Sequence, residues 1–128
     1  MKHPFAELLD LRTRETLPGA SALSLTVARQ HLNPHGVVHG AVLYALADTG
    51  MGAALYPTLA EGEICATIEI KINYFKPVTA GEVLCRTELV NRGKSVANLE
   101  SKLYVGNALV AQANGNYAIF RPNRSERA

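Results

Sequence analysis

The sequence predicts an α+β fold in which a curved antiparallel sheet wraps around one long central helix. Residues 41 to about 55 are apolar on every side apart from a single acid, which is typical of a helix buried all round. After Gly62 the chain alternates apolar and polar residues with the period of β-strands. One strand-like run precedes the helix and four follow it, so one sheet packed on the helix is the simplest arrangement.

Composition limits the kinds of function. The chain has 128 residues, of which 48% are hydrophobic and 19% are charged, so we expect one domain, residues 1–128, with a substantial core. The formal net charge is +2, and no run of Lys and Arg forms a stripe. This charge argues against nucleic acid as a partner and is compatible with an anionic small ligand.

The sequence also predicts a cellular setting. No apolar run approaches the ~18–20 residues that a membrane span needs. The start, MKHPFAELLDLR, lacks the apolar core of a signal peptide. Cys65 and Cys85 lie far apart without a CxxC pattern, so we interpret both as free thiols in strands. We therefore expect a soluble cytoplasmic protein with no membrane contact.

The first half of the chain contains the helices. PFAELLDL, residues 4–11, has the spacing of a short amphipathic helix. Pro18-Gly19 is a turn signal, and residues 21–29 alternate as a strand. The loop HLNPHGVVHG then leads into the apolar helix, which at ~1.5 Å per residue is long enough for a core and too short for a bilayer.

The second half reads as four strands. They are ATIEIKINYF, EVLCRTELV, SVANLESKLYV and ALVAQANGNYAIF. Arg92-Gly93-Lys94 and Gly106-Asn107 supply hairpin turns between them. In the first of these strands the predicted inward face is Ile68, Ile70, Ile72 and Tyr74. Gly115 interrupts the last strand, which indicates a bulge or a close contact.

Asp48 is the main chemical signal. An ionised carboxylate in apolar surroundings costs several kcal/mol unless it is paired or solvated, so its presence in this helix needs a reason. One reason is a role as general base or nucleophile. The alternative is a structural acid that is capped by backbone amides or faces a wet interface.

The loop before the helix adds possible electrophilic groups. Gly40 opens the helix, where free N–H groups and the positive end of the helix dipole favour a developing negative charge, or it serves only as the helix start. Asn33 can offer an amide donor to the same oxygen, or it can serve only as an Asn-Pro turn residue. His31, His35 and His39 recur every four residues, but Pro34 and Gly36 (within this loop) argue against a helix, and hence against a metal site. His39 either contacts substrate or fixes the loop.

Residues 33–48 resemble a known signature. Asn33-Pro-His-Gly36-Val-Val-His39-Gly40, continuing through Leu46 to Asp48, is similar to N-x-x-G-x-x-H-G-G-x-x-x-x-L-x-D of PaaI-like hotdog acyl-CoA thioesterases, the family of phenylacetate-pathway thioesterases and Them2. The resemblance covers residues 20 to 121, the expected core, and extends to the hotdog order of one helix among strands. Ala41 departs from the pattern, which has a second glycine there.

The resemblance implies hydrolysis of acyl-CoA thioesters without a metal or other cofactor. Asp48 would activate water or attack the thioester carbonyl, and the Gly40 amide and the Asn33 side chain would polarise that carbonyl. Thr67 matches a serine that orients the water in some members. Strand parity, however, puts Thr67 on the face opposite the isoleucines, so it can serve only at a strand edge, at a subunit seam or after a twist.

The family pattern also implies an assembly and a nucleotide contact. Two sheets would join edge to edge in a homodimer, with Asn33 and Gly40 from one chain and Asp48 and Thr67 from the other, and dimers would pair as a homotetramer. Arg92, Gly93 and Lys94 would lie near the CoA moiety. Lys76, Arg121 and Arg124 are further candidates, and the alternative is that all of these cations are ordinary solvated side chains.

Two other functions stay open at this stage. A hotdog acyl-CoA hydratase or dehydratase would use His39 together with Asp48, although the Asn-x-x-Gly context fits it less well. A non-catalytic acyl-CoA-binding protein would bind the thioester without releasing thiol. The acyl group itself is not predicted, because Tyr44, Tyr56 and Tyr74 beside an apolar helix suit aryl and medium aliphatic chains alike.

Overall fold

The computed structural model describes residues 2–122, which form a six-stranded sheet and one long helix. The helices are α1 (Pro4–Leu9) and α2 (Gly40–Leu55), and short 3-10 turns lie at Arg29–His31 and Tyr56–Thr58. The strands are β1 (Arg12–Leu17), β2 (Ala20–Thr26), β3 (Ile64–Tyr74), β4 (Glu82–Arg92), β5 (Val96–Val105) and β6 (Ala108–Phe120). All paired strands are antiparallel, in the order β1-β2-β4-β5-β6-β3. The predicted architecture is confirmed.

Helix α2 lies on the sheet and supplies much of the core. Its members Leu46, Ala47, Met51, Ala54 and Leu55 have no solvent exposure. Burying side chains of this size removes most of their apolar area from water, at roughly 25 cal/mol per Å². The helix is therefore held by its surroundings, as its apolar composition predicts.

Glycines allow the helix and the sheet to approach closely. A Cβ on Gly115 of β6 would lie 2.7 Å from Met51 Sδ and 2.9 Å from Ile70 Cγ1. A Cβ on Gly50 of α2 would lie 2.9 Å from Thr87 Oγ1. Since real Cβ atoms do not approach other atoms so closely, a larger residue at either position would force its neighbours to shift. The close contact predicted for Gly115 is confirmed.

Strand β1 is not among the five strands that the sequence predicts. Every residue of RTRETL is exposed, so the segment has no buried face and no apolar alternation to reveal it. It pairs with β2, with a register shift between Thr13 and Glu15. Arg14 holds it further by donating to Ser24 Oγ at 2.7 Å and to Glu82 Oε2 at 3.2 Å.

Strand β3 contains a bulge that changes which residues face the helix. Its register against β6 shifts between Thr67 and Glu69, so Thr67 pairs with Tyr117 and Ile70 with Gly115. The extra residue, Ile68, is 55% exposed, and its predicted place on the inward face is wrong. One added residue reverses the alternation.

The remaining predicted elements lie close to their expected places. The first strand ends at Thr26 rather than at residue 29, because the chain turns there into the Arg29–His31 turn. Both hairpins are confirmed, with Gly93 between β4 and β5 and Gly106 between β5 and β6. Across residues 2–122, none of the helices has the length and apolar character that crossing a bilayer requires.

Candidate active site

Asp48 is held by two hydroxyl donors from neighbouring strands. Thr67 Oγ1 of β3 donates to Asp48 Oδ1 at 2.9 Å. Tyr117 Oη of β6 donates to the same Oδ1 and, at 2.9 Å, to the Asp48 backbone oxygen. Thr67 and Tyr117 are directly paired across the sheet, so both reach one carboxylate oxygen. The bulge at Ile68 is what turns Thr67 inward.

The two ionisable side chains beside the Asp48 carboxylate, Tyr117 and Cys65, both have raised pKa values. Tyr117 is 3% exposed, and burial, followed by its hydrogen bond to Asp48, raises the pKa of the phenol. Burial also raises the pKa of the nearby Cys65 thiol, and the charge of Asp48 adds to this effect. Tyr117 is therefore a permanent hydrogen-bond donor, and Cys65 is a neutral thiol rather than a nucleophile.

Asp48 and Thr67 lie on the wall of a cavity of about 770 Å³. It is lined by the face of α2 that carries small residues and by residues of the N-terminal segment, β1 and β3. The lining residues include Phe5, Leu11, Thr13, Ala45, Thr49, Gly52, Ala53, Tyr56, Cys65 and Tyr117. A cavity with mostly apolar walls and one fixed carboxylate is the arrangement expected of a small-molecule site.

The start of α2 is built around His39 and Gly40. His39 is the N-cap residue, and its Nδ1 accepts the Ala41 N–H at 2.9 Å, while its backbone oxygen accepts the Val42 N–H at 2.9 Å. Neither bond uses the Gly40 N–H, which as a first-turn amide has no partner within the helix. Tyr74 Oη donates to the Gly40 oxygen at 2.7 Å and packs where a Cβ would stand.

Asn33 shapes the loop that precedes α2. Its Oδ1 accepts the backbone N–H groups of His35 at 2.9 Å and Val37 at 3.2 Å. This is the behaviour of an Asx-type turn residue, so the turn role considered for Asn33 is real. The two bonds use only the carbonyl oxygen, and the Nδ2 amide group keeps its capacity to donate.

The three regularly spaced histidines occupy different environments. His31 is 1% exposed, its Nδ1 accepts the Ala28 N–H, and its Nε2 donates to the Leu9 oxygen. It therefore ties α1 to the loop, whereas His35 is exposed and His39 caps α2. Among residues 2–122 there is no group of three His, Cys, Asp or Glu side chains that could hold a metal ion.

The residues predicted near the nucleotide lie in the β4–β5 hairpin. Arg92 is engaged: its guanidinium lies 3.1 Å from Glu63 Oε1 and donates to Gly93 O and Thr58. A hydrogen bond from the Ala60 N–H, followed by the Arg92 guanidinium, lowers the pKa of Glu63. Lys94 is exposed in the same turn. Arg92 is thus held by its neighbours, whereas Lys94 extends from the surface with no ion pair among residues 2–122.

Lys76 and Arg121 are the further candidate cations that the structure describes. Lys76 is exposed after β3, and Arg121 donates to the backbone oxygen of Glu61. Arg124 lies outside the described residues. Together with the hydrogen bond from the Ala60 N–H, the charges of Arg92 and Arg121 lower the pKa of Glu63, so Arg121 lies on the Arg92 side of the hairpin.

Tyr117 is the site residue that sequence reasoning missed. The alternation along β6 offered a signal, because it puts this tyrosine on the buried face. That face carries Ala111, Ala113, Gly115, Tyr117 and Ile119. A tyrosine on a buried face needs a partner for its hydroxyl. That partner, Asp48, is 69 residues away in the chain, so sequence alone could not name it.

Comparison with known proteins supports a family. The family model of the thioesterase superfamily matches residues 35–111. A protein of Archaeoglobus fulgidus is 33% identical over 119 residues, which are 91% of this chain and 74% of that protein. The acyl-coenzyme A thioesterase PaaI of Escherichia coli is 30% identical over 104 residues, 80% of this chain and 68% of PaaI.

The fold agrees with these relatives. The structure of a mutant of the phenylacetic acid degradation protein PaaI from Thermus thermophilus superposes with a TM-score of 0.84 and 31% identity. The match covers 94% of this chain and all of that one. The six-stranded sheet around one helix is thus the hotdog fold that the sequence predicts. On these grounds the chain belongs to the thioesterase superfamily, as a PaaI-like hotdog thioesterase.

Proposed function

We propose that this thioesterase hydrolyses acyl-CoA thioesters to the free acid and CoA. The observation that carries the proposal is the Asp48 carboxylate, which Thr67 and Tyr117 hold by one oxygen on the wall of the 770 Å³ cavity. A carboxylate fixed in this way has one oxygen left for chemistry. The similarity to a protein named acyl-coenzyme A thioesterase supports CoA as the thiol.

In the general-base route, Asp48 takes a proton from water and the resulting hydroxide adds to the thioester carbonyl. The negative charge moves to the carbonyl oxygen, where the Gly40 N–H and the Asn33 amide stabilise it. The carbon–sulfur bond then breaks, and the proton held by Asp48 passes to the departing sulfur. Acid and thiol are released, and the carboxylate is restored.

In the nucleophilic route, the Asp48 carboxylate itself adds to the carbonyl and expels the thiolate, which gives a mixed anhydride. Water then cleaves the anhydride, returns the carboxylate and releases the acid. Both routes need the same carboxylate and the same oxyanion donors. Label from H₂¹⁸O that enters Asp48 during a single turnover, by attack of water on the aspartyl carbonyl of the anhydride, would identify the nucleophilic route.

The two halves of this site come from different chains in our proposal. Gly40 and Asp48 are eight residues apart on one helix, or about 12 Å along its axis, which is too far for both to act on one carbonyl. Strand β3 is an eleven-residue edge strand, and an exposed edge of this length favours pairing with a second copy. Asn33 and Gly40 of one subunit therefore act with Asp48 and Thr67 of the other.

The nucleotide of CoA is placed near the β4–β5 hairpin in this proposal. Lys94 is the exposed cation there, whereas Arg92 is held by Glu63 and Thr58 and fixes the shape of the turn. Lys94 is therefore better suited to contact phosphate, and Gly93 lets the chain turn closely. The homotetramer and the cytoplasmic location stay predictions.

One observation weakens the hydratase alternative. A histidine acting as a base needs a ring nitrogen with a free lone pair, but His39 Nδ1 accepts the Ala41 N–H, so the neutral ring carries its proton on Nε2. His39 therefore positions the Gly40 amide in our proposal. A crotonyl-CoA hydration assay, followed by loss of enoyl absorbance, distinguishes the two enzymes.

Thiol release from a panel of aryl and aliphatic acyl-CoA thioesters tests the proposal, with Asp48→Asn beside the native chain. The amide of asparagine is close in size and keeps an oxygen for Thr67 and Tyr117, so the fold should be retained. We expect kcat to fall at least ~100-fold, as is typical for the loss of acid–base catalysis. Near-native turnover by the variant would reject Asp48, and binding without thiol release by the native chain would favour the non-catalytic alternative.

A further inference from the structure

We propose that Tyr117 is a positioning residue, which works by fixing the Asp48 carboxylate in the orientation that its chemistry needs. The inference rests on the proposed function, because it names how the carboxylate of that site is held. Neither the signature at residues 33–48 nor strand pairing alone assigns this role to Tyr117. It follows from the contacts between β6, β3 and α2.

The first argument is the geometry of the hydrogen bonds. The Tyr117 hydroxyl reaches two oxygens of one residue, the Asp48 carboxylate Oδ1 and, at 2.9 Å, the Asp48 backbone oxygen. A donor that bridges the backbone and the side chain of the same residue restricts rotation about the bonds between them. The carboxylate is thereby kept in one rotamer rather than being free to turn.

The second argument is that the donors are divided unevenly between the two carboxylate oxygens. Thr67 Oγ1 also donates to Oδ1, at 2.9 Å. Within the described part of the chain, the side-chain hydrogen bonds to this carboxylate thus converge on Oδ1, and Oδ2 is the oxygen left for a proton or a carbonyl carbon. Positioning of a reactive group before substrate arrives lowers the barrier, because no reorientation is needed.

The third argument is that Tyr117 is firmly held and acts only as the donor in its hydrogen bond to Asp48. The residue is 3% exposed, and it is fixed in the sheet by pairing with Thr67 on one side and Ala97 on the other. Burial raises the pKa of its hydroxyl, so the group stays protonated and always donates. Its ring is anchored in the core, whereas the Thr67 side chain is more exposed. Tyr117 is therefore the stiffer of the two supports.

The test is Tyr117→Phe, which keeps the ring and removes only the hydroxyl, assayed on the acyl-CoA that the native chain hydrolyses fastest. We expect kcat to fall ~10–100-fold with KM within ~2-fold, because the group acts on the transition state and not on substrate binding. The matched control is Tyr104→Phe, a tyrosine of β5 outside the site, which should keep native kinetics.

A second comparison separates positioning from a general structural role. If Tyr117 acts through Asp48, its removal costs nothing further once Asp48 is gone. In the Asp48→Asn background, Tyr117→Phe should therefore change the residual rate less than ~2-fold. An equal loss in both backgrounds, or an unchanged kcat in the single variant, would overturn the inference. An active Asp48→Asn protein would instead overturn the proposed function.

Hydrogen exchange of the Tyr117 hydroxyl, followed by proton NMR, keeps the inference testable if Tyr117→Phe does not fold or if no acyl-CoA is hydrolysed. The hydroxyl is buried and bonded to the charged Asp48 carboxylate, and hydrogen bonds to charged groups are stronger than neutral ones. Asp48→Asn should therefore speed the exchange of this one hydroxyl proton with water relative to the native chain. Equal exchange rates in the two proteins would show that the two groups are not coupled and would overturn the inference.

Discussion

Gly40 and Asp48 lie on the same helix, α2, with two full turns between them. The separation along the axis is about 12 Å, and the aspartate side chain, although it leans toward the helix N-terminus, cannot close that gap. A thioester carbonyl bound at the Gly40 amide is therefore out of reach of the same chain's carboxylate. This relationship makes subunit sharing the central test of the mechanism.

Mixing two inactive variants should restore activity. In a mixed dimer of Asp48→Asn and Asn33→Asp chains, one shared site carries both substitutions and the other carries neither. With random 1:1 mixing we expect about one quarter of native sites, measured as thiol release after co-refolding. The control pair is Asp48→Asn with Thr67→Val, which damages both sites of every mixed dimer and should give no gain. Absence of recovery in the first pair, with mixed dimers verified by mass spectrometry, would contradict shared sites.

Asn33→Asp should separate the two roles of that side chain. A carboxylate keeps an oxygen for the His35 and Val37 N–H groups but loses the amide donor. We expect a native fold by circular dichroism and a kcat lowered ~100-fold or more, since the developing oxyanion loses one donor and meets a negative charge. Asn33→Ala should lose the loop as well, which amide hydrogen exchange at residues 35–37 would detect. Native turnover by Asn33→Asp would remove Asn33 from the site.

Two alanine substitutions in α2 should have opposite effects on stability. A Cβ on Gly50 would lie 2.9 Å from Thr87 Oγ1, which is itself bonded to Ser101 at 2.7 Å, so Gly50→Ala should lower the free energy of unfolding by ~1–3 kcal/mol. A Cβ on Gly52 meets nothing within 4 Å. Gly52→Ala should therefore raise the free energy of unfolding by up to ~1 kcal/mol, because alanine has the higher helix propensity. Urea denaturation measures both, and equal effects would contradict the close approach at Gly50.

Cys85 should make the protein less stable in alkali. Burial raises the pKa of this thiol from 9.0 to about 11. Between these values the unfolded chain loses its thiol proton and the folded chain keeps it, so rising pH favours unfolding. We expect the free energy of unfolding to fall by roughly 2–3 kcal/mol more across this window in the native chain than in Cys85→Ala. The free energies of unfolding come from urea denaturation at each pH from 8 to 11. If they fall equally for the native chain and for Cys85→Ala, Cys85 is not the group responsible.

Arg92 and Lys94 should behave differently although they share a hairpin. Arg92→Ala removes the bonds to Glu63 and Thr58 and should lower the midpoint of thermal unfolding. Lys94→Ala should leave that midpoint unchanged and raise KM about 3–10-fold for acyl-CoA, as loss of one phosphate contact implies. The KM for the same acyl group on N-acetylcysteamine, which lacks the nucleotide, should not change. An equal rise for both substrates would place Lys94 away from the phosphates.

The sequence predicted those parts of the fold that have a buried face. Helix α2 and the two hairpins were recognisable because apolar periodicity and turn residues agree there. Strand β1 was not, because all six residues of RTRETL are exposed and only pairing with β2 holds them in place. Its existence depends on tertiary structure, which a local pattern cannot contain.

The sequence predicted the charged residue of the candidate site, but not all of the side chains that hold it in place. Asp48 stood out as the lone acid of an apolar helix, and resemblance supplied Gly40, Asn33 and Thr67 as its companions. Parity alone placed Thr67 on the wrong side, and the bulge at Ile68 brings it inward. Tyr117 was missed because its partner is 69 residues away in the chain, so the pattern of β6 shows a buried hydroxyl without naming what it bonds.

The two edge strands of the sheet, β1 and β3, differ in length and charge. This difference limits the number of chains that can join by strand addition. Strand β3 is long, whereas β1 is short, carries Arg12, Arg14 and Glu15, and is kinked by its register shift. A second copy that adds at β3 presents its own β1 to the outside. Such an edge is a poor template for a third copy, so we expect growth by this route to stop at two chains instead of continuing as an endless ribbon.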